Sequence, residues 1–181
     1  MNTQATTRTK WAVDPTHSEI TFKVKHMMFT NVSGSFGKFN VSATTDGDDF
    51  ANAHIDFSAD VDSISTGNTD RDNHLKSPDF FDAANHGQLK FVATRYEKGS
   101  NGDKLTGDLT IRNTTKSITL DVENGGVAKD PWGNLKAGFS LSGKLNRKDF
   151  GLTWNAALET GGVLVSDEVK IAAEVQLVKQ A

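Results

Sequence analysis

Polar and apolar residues alternate along most of this chain. In Glu19–Lys25, Ile20, Phe22 and Val24 share one face, while Glu19, Thr21, Lys23 and Lys25 share the other. From Asn52 to Asp62, Ala53, Ile55, Phe57, Ala59 and Val61 alternate with His54, Asp56, Ser58 and Asp60. A period of two sends successive side chains to opposite faces, so each run predicts a strand with one dry and one wet side. The same pattern marks Phe36–Ala43, Leu89–Tyr96, Leu105–Arg112, Ile118–Glu123, Leu135–Leu145 and Val169–Leu177. Asp46-Gly47, Gly99-Ser100-Asn101-Gly102, Gly125-Gly126, Asp130-Pro131-Trp132-Gly133-Asn134 and Gly161-Gly162 supply turn chemistry between them. This gives eight strands, or nine with Trp11–Val13, following one another mostly without helices. Such an order predicts an all-β, antiparallel meander closed as a barrel or packed as a sandwich.

One stretch breaks the alternation. Asn68 or Thr69 is placed to cap a short helix, with Asp70 and Asp72 in its first turn. Ser77-Pro78 ends it and starts a second turn that packs Phe80 and Phe81 inward. A short helical segment inserted between two strands predicts a plug for one end of the barrel. The organisation read from this is a flexible tail over residues 1–10 and a single barrel domain over 11–181.

Charge narrows the function. The net formal charge is −3, without the basic surplus of a nucleic-acid binder. With no cysteine, disulfide frameworks, thiolate catalysis and cysteine metal sites are excluded. No apolar signal core precedes Trp11 and no run is long enough to span a membrane, so the reading is cytoplasmic. A periplasmic home follows only if the chain begins at a processed end.

The five histidines form no tight metal pair, so no metal and no cofactor are expected. His54 falls on a wet face, whereas His26 falls in phase with Phe22 and Val24. Arg71, Asp72 and His74 are the densest ionisable cluster. Asp72 and His74 could serve an enzyme as an acid–base pair on an apolar substrate. Two residues apart, they do not face each other on a helix. The competing structural reading has Asp72 capping, Arg71 pairing with a strand carboxylate and His74 bonding a carbonyl. No nucleophile elbow and no phosphate loop is present.

The dry face is the most informative feature. It carries Ile20, Phe22, Val24, Phe39, Ile55, Phe57, Phe91, Leu109, Ile111, Leu120, Phe139, Leu141, Val169 and Ile171. Ala53, Ala59, Ala93, Gly107, Ala137 and Gly143 are interleaved with them. Two readings stay open. The small residues fill a tapering barrel that acts only through its surface, for example in a stress response, or they leave a lumen.

Several ordered segments are similar to one family. They are Val13-Asp14-Pro15-Thr16-His17-Ser18, Phe22-Lys23-Val24-Lys25-His26, Gly34-Ser35-Phe36-Gly37-Lys38-Phe39 and Arg71–Asp82. Gly107–Arg112, Asn146–Gly151 and Val165–Val169 continue the series. Together they resemble the YceI-like family of lipocalin-like polyisoprenoid-binding proteins, over about Trp11 to Val178. The resemblance implies a lipocalin-like barrel of about eight strands whose lumen holds a polyprenyl lipid or isoprenoid quinone without catalysis, in a homodimer. On that reading Phe22, Val24, Phe39, Ile55, Phe57, Phe91, Leu109, Ile111, Phe139, Leu141 and Ile171 line the lumen. His17, His26, Arg71 and His74 orient a head group at the mouth, and Phe80 and Phe81 form the lid. Asn113 stands where the family usually has glycine, and is expected to carry the left-handed turn. His86-Gly87-Gln88 replaces the family's usual proline-containing approach to the Leu89 strand.

Overall fold

A sheet with one apolar face must either pack on a second layer or close on itself. Here it closes. A computed structural model describes residues 8–158 and 162–181. The strands are β1 (Arg8–Val13), β2 (Glu19–His26), β3 (Thr30–Phe36), β4 (Phe39–Asp46), β5 (Asp49–Asp60) and β6 (Ile64–Ser65). After the helix α1 (Thr69–Lys76) come β7 (Gln88–Glu97), β8 (Asp103–Ile111), β9 (Thr114–Lys129), β10 (Leu135–Asn146) and β11 (Val165–Lys179). The ring runs β1-β4-β5-β7-β8-β9-β10-β11 and closes where β1 meets β11, giving an eight-stranded antiparallel barrel.

The remaining strands extend this ring rather than add to it. Both β1 and β2 lie along the same edge of β11. The pairs Val13↔Leu177 and Glu19↔Glu174 differ by three residues. That surplus is taken up in a single 3-10 turn, Pro15–His17, capped by the Asp14 carboxylate. In the same way β3 and β4 are one strand interrupted at Gly37-Lys38, and β6 extends β5 along β3. The eight expected strands are therefore eight bent staves.

Four local expectations are corrected. Phe36–Ala43 is not continuous, because the backbone leaves the ladder at Gly37 to bond Ser63 O at 3.0 Å. β3 escaped notice because its dry face reads Val32, Gly34, Phe36, and Gly34 carries no side chain. The ring of Phe22 covers that gap: a Cβ on Gly34 would lie 2.3 Å from Phe22 Cζ. Residues 1–7 of the expected tail lie outside the described residues, while Arg8–Lys10 pair with Asp46–Thr44 in β1. Backbone pairing needs no apolar side chain, so the pattern did not reveal it. At the β8–β9 turn the left-handed residue is Arg112, with φ 56°, and not Asn113.

The core has two ends. At one, Trp11 is 1% exposed and donates Nε1–H to Thr45 Oγ1 at 2.8 Å. Trp11, Phe50 and Phe139 contact one another in turn, the first pair tilted and the second edge-on, with ring centroids 5.2 and 4.9 Å apart. At the other end lie α1 and the turns that follow it. Among the described residues no helix is long and apolar enough to cross a membrane.

Candidate functional site

The barrel is hollow. An inner cavity of about 140 Å³ lies toward the Trp11 end. Its wall is Ile20, Val41, Phe50, Ile55, Phe57, Phe91, Tyr96, Leu105, Leu109, Leu120, Val122, Phe139, Leu141, Ala173, Val175 and Leu177. A larger cavity of about 450 Å³ lies toward α1. Phe22, Val24, Val32, Phe36, Leu89, Leu109, Ile111, Leu145, Leu152, Trp154 and Val169 supply its apolar wall. Leu109 faces both. The two hollows count against a filled barrel.

Two of the interleaved small residues, Gly107 and Gly143, make room indirectly, by seating a neighbour. A Cβ on Gly107 would lie 2.4 Å from Phe91 Cζ, and one on Gly143 would lie 2.6 Å from a Leu120 methyl. These two positions seat neighbouring large side chains against the sheet, which frees the barrel centre.

Of the expected lining residues, Phe22, Val24, Ile55, Phe57, Phe91, Leu109, Ile111, Phe139 and Leu141 line one hollow or the other. Phe39 packs into the core around both cavities and faces neither. Ile171 shares the dry face with Val169 and Ala173, yet reaches neither cavity, because it is stacked between Phe22 and Gly143.

The mouth of the larger cavity is built by α1. Asn68 Oδ1 accepts from Arg71 N at 3.0 Å, which fixes the helix start. Asp72 accepts from Thr66 N and Thr66 Oγ1, at 2.8 and 2.6 Å. Arg71 donates from Nε to Thr66 Oγ1 and from a terminal nitrogen to Thr66 O, both at 2.7 Å. Asp72 thus ties the incoming loop to the helix, and Arg71 pairs with Thr66 rather than with a strand carboxylate. His74 Nε2 bonds Asp79 Oδ2 at 2.9 Å, not a carbonyl. Its ring stands edge-on to Trp154 and Phe80, with centroids 4.7 and 5.1 Å away. Asp72 and His74 therefore have separate partners and form no acid–base pair.

His26, Arg71, His74, Phe80 and Phe81 all border this cavity, with Lys25 and Asp70 on its exposed rim. His17 does not. Its 3-10 turn holds it elsewhere, with Nδ1 2.9 Å from Asp14 Oδ2, beside a polar surface hollow lined by Glu123 and Glu174. Among the described residues no cluster of three histidines or carboxylates is placed to hold a metal.

Sequence reasoning missed Arg147 and Trp154. Arg147 is 3% exposed. Its guanidinium donates to the carbonyls of Leu152, Trp154, Val165 and Ser166 at 2.6 to 3.2 Å. Burial pulls its pKa down, and Asp167, 3.9 Å away, opposes that. This one side chain fastens the irregular segment bearing Trp154 to β11. No periodicity marks such a residue, because its partners are backbone atoms.

With this geometry in place, comparison with known proteins is informative. The YceI-like domain family matches residues 11–177. A UPF0312 protein of Staphylococcus epidermidis is 41% identical over 169 residues, covering 93% of this chain and 96% of that protein. The crystal structure of the Campylobacter jejuni YceI protein superposes with a TM-score of 0.73 at 36% identity, over 87% of this chain and 90% of that one. A polyisoprenoid-binding domain from Saccharophagus degradans, implicated in plant cell wall breakdown, superposes with a TM-score of 0.66. It covers 94% of this chain and 98% of that one, and at 14% identity it speaks to the fold alone.

Proposed function

We propose that this chain, which belongs to the YceI-like domain family, holds a long isoprenoid chain inside its barrel without transforming it. One observation carries the reading: two apolar hollows share Leu109 in their walls, and the charged residues that line them, among them Arg71, His74 and the buried Arg147, all border the larger one, toward α1. The larger hollow is within the range that takes drug-sized guests. Each methylene moved from water into such a wall is stabilised by about 0.8 kcal/mol before ordering costs. His26, Arg71 and His74 would meet a polar head, and Phe80 and Phe81 would close over the chain. Two of the Arg71 N–H groups are committed to Thr66, and its other donors are available to a head group. A polyprenyl lipid and an isoprenoid quinone both fit this chemistry. The absence of an Asp72–His74 pair favours binding over catalysis.

A homodimer belongs to the same proposal. Beyond Val122 no strand among the described residues pairs with the outer edge of β9, and a free edge is a template for a second chain.

Native mass spectrometry of detergent-free protein, followed by lipid extraction, tests the reading. A stoichiometric isoprenoid, or uptake of an added polyprenol or isoprenoid quinone by emptied protein, is expected. Protein that emerges empty and takes up neither compound refutes it.

A further inference from the structure

The tip of the β2–β3 hairpin is the least explained surface of the molecule. Met27, Met28 and Phe29 follow one another there and are 39%, 58% and 83% exposed. A contiguous apolar patch on a soluble protein usually marks a contact surface. The tip is held in shape. Met27 and Met28 both adopt left-handed backbone, with φ 53° and 65°. Met27 N donates to Leu164 O at 2.8 Å and Phe29 N to His26 O at 3.2 Å.

Its place gives it meaning. His26, Leu164 and Val165, which adjoin the tip, all line the larger cavity. Val163, itself 37% exposed, extends the patch along the same rim. Among the described residues the charge is one-sided as well. Residues 20–45 contain Lys23, Lys25 and Lys38 and no carboxylate, and Lys170 on β11 pairs with Lys23. The two carboxylates in the β11 bulge have cations of their own: Asp167 lies 3.3 Å from Lys148, and Glu168 lies 3.9 Å from Lys144. The rim's carboxylate Asp70 belongs to α1, and Asp79, which is bonded to His74, lies just beyond it on the same helical side.

We propose that this tip docks the protein onto an anionic lipid bilayer. Met28 and Phe29 enter the headgroup boundary while Lys23 and Lys25 face lipid phosphates, so that the cavity mouth opens toward the lipid phase. Apolar insertion supported by nearby cations is how interfacial segments bind membranes. The inference rests on the reading that the cavity takes an apolar chain. Such a guest is scarcely present in water and must be drawn from lipid.

Vesicle flotation with phosphatidylglycerol–phosphatidylcholine vesicles, and with pure phosphatidylcholine as control, tests this on the full chain. The variant Met28→Asn with Phe29→Ser keeps the turn, since Asn accepts left-handed backbone, and its thermal midpoint should match the parent. Wild type is expected to float with the anionic vesicles. The variant should bind them at least about tenfold more weakly, and Lys23→Gln with Lys25→Gln should weaken binding in a salt-dependent way. Uptake of geranylgeraniol from solution should be unchanged in the tip variant, while transfer of a polyprenol out of vesicles slows. Equal flotation of wild type and the tip variant overturns the docking surface. So does a wild-type dimer that the tip variant dissolves without any vesicle binding, because the patch then serves a second copy. Loss of geranylgeraniol uptake in wild type itself refutes the cavity reading, and flotation is scored independently of it.

Discussion

Replacing Gly107 by alanine tests how the wall of the hollow is made. The new methyl would sit 2.4 Å from Phe91 Cζ and 2.6 Å from the Val92 carbonyl oxygen. The ring borders the inner cavity and can turn into it, whereas the carbonyl lies in the β7–β8 ladder and cannot yield easily. Overpacking of this kind costs about 1–3 kcal/mol. Alanine recovers about 0.4–1 kcal/mol by narrowing the unfolded ensemble. The net expectation is a loss of about 1–2 kcal/mol, which for a chain of this size lowers the thermal midpoint by about 2–8 °C. Scanning calorimetry would measure it, with Gly87→Ala as the control. Gly87 has nothing within 4 Å of its Cβ position and no left-handed φ, so that change should be neutral or slightly stabilising. Adding Phe91→Leu to Gly107→Ala should restore part of the loss and leave the carbonyl clash. A Gly107→Ala protein as stable as its parent would refute the claim that the ring of Phe91 occupies the glycine's space.

Three further outcomes follow from the structure. Leu109→Trp should block the junction of the two cavities. The burial lost by a polyprenol, at about 0.8 kcal/mol per methylene, weakens it at least about tenfold while geraniol binding is spared; equal losses for both in a fluorescence titration would contradict a continuous lumen. The Asp14 carboxyl is held well below the usual carboxylate range, chiefly by Lys136, then by Thr16 and His17. Its contribution is complete above about pH 4 and is lost as pH falls further, so Asp14→Asn should cost about 1–2 kcal/mol at neutral pH in urea midpoints, and the gap should narrow below about pH 4. Burial, reinforced by Asp103, pushes the Tyr96 hydroxyl up. Tyr96 is the chain's single tyrosine, so folded protein should show no phenolate absorbance above about pH 10, and stability should fall there because only the unfolded chain ionises.

Much of the barrel was legible because its dry face is a period-two signal. The face that Phe57, Leu109 and Leu141 share needs nothing more than alternation to be seen. Alternation fails at β3, where Gly34 is silent and the ring covering it belongs to Phe22. It also cannot separate a residue that borders a void from one that is stacked against its neighbours, as Ile171 is. The mouth was less legible still. Asn68 and Phe80 announced themselves through capping and turn chemistry. Arg147 and Trp154 did not, since one is bound by carbonyls and the other by ring contacts, and neither leaves a spacing. His17, expected at the mouth on the family resemblance, lies elsewhere. The 3-10 turn that absorbs three extra residues takes it away from the mouth.

That β11 carries both ends of β1–β2 along one edge has a bearing on synthesis. Trp11 pairs with Lys179, and Ile20 with Ala173, so the contacts that shut the cylinder join the first strands to the last. Loop closure over that span is slow relative to hairpin formation. On a ribosome, β4 to β10 can zip as successive neighbours while the seam stands open. Until β11 emerges, the nascent sheet exposes the same greasy interior that later shelters a guest. This is the interval in which the chain is most open to aggregation or to a chaperone, and in which a ligand could be enclosed without passing through the finished mouth.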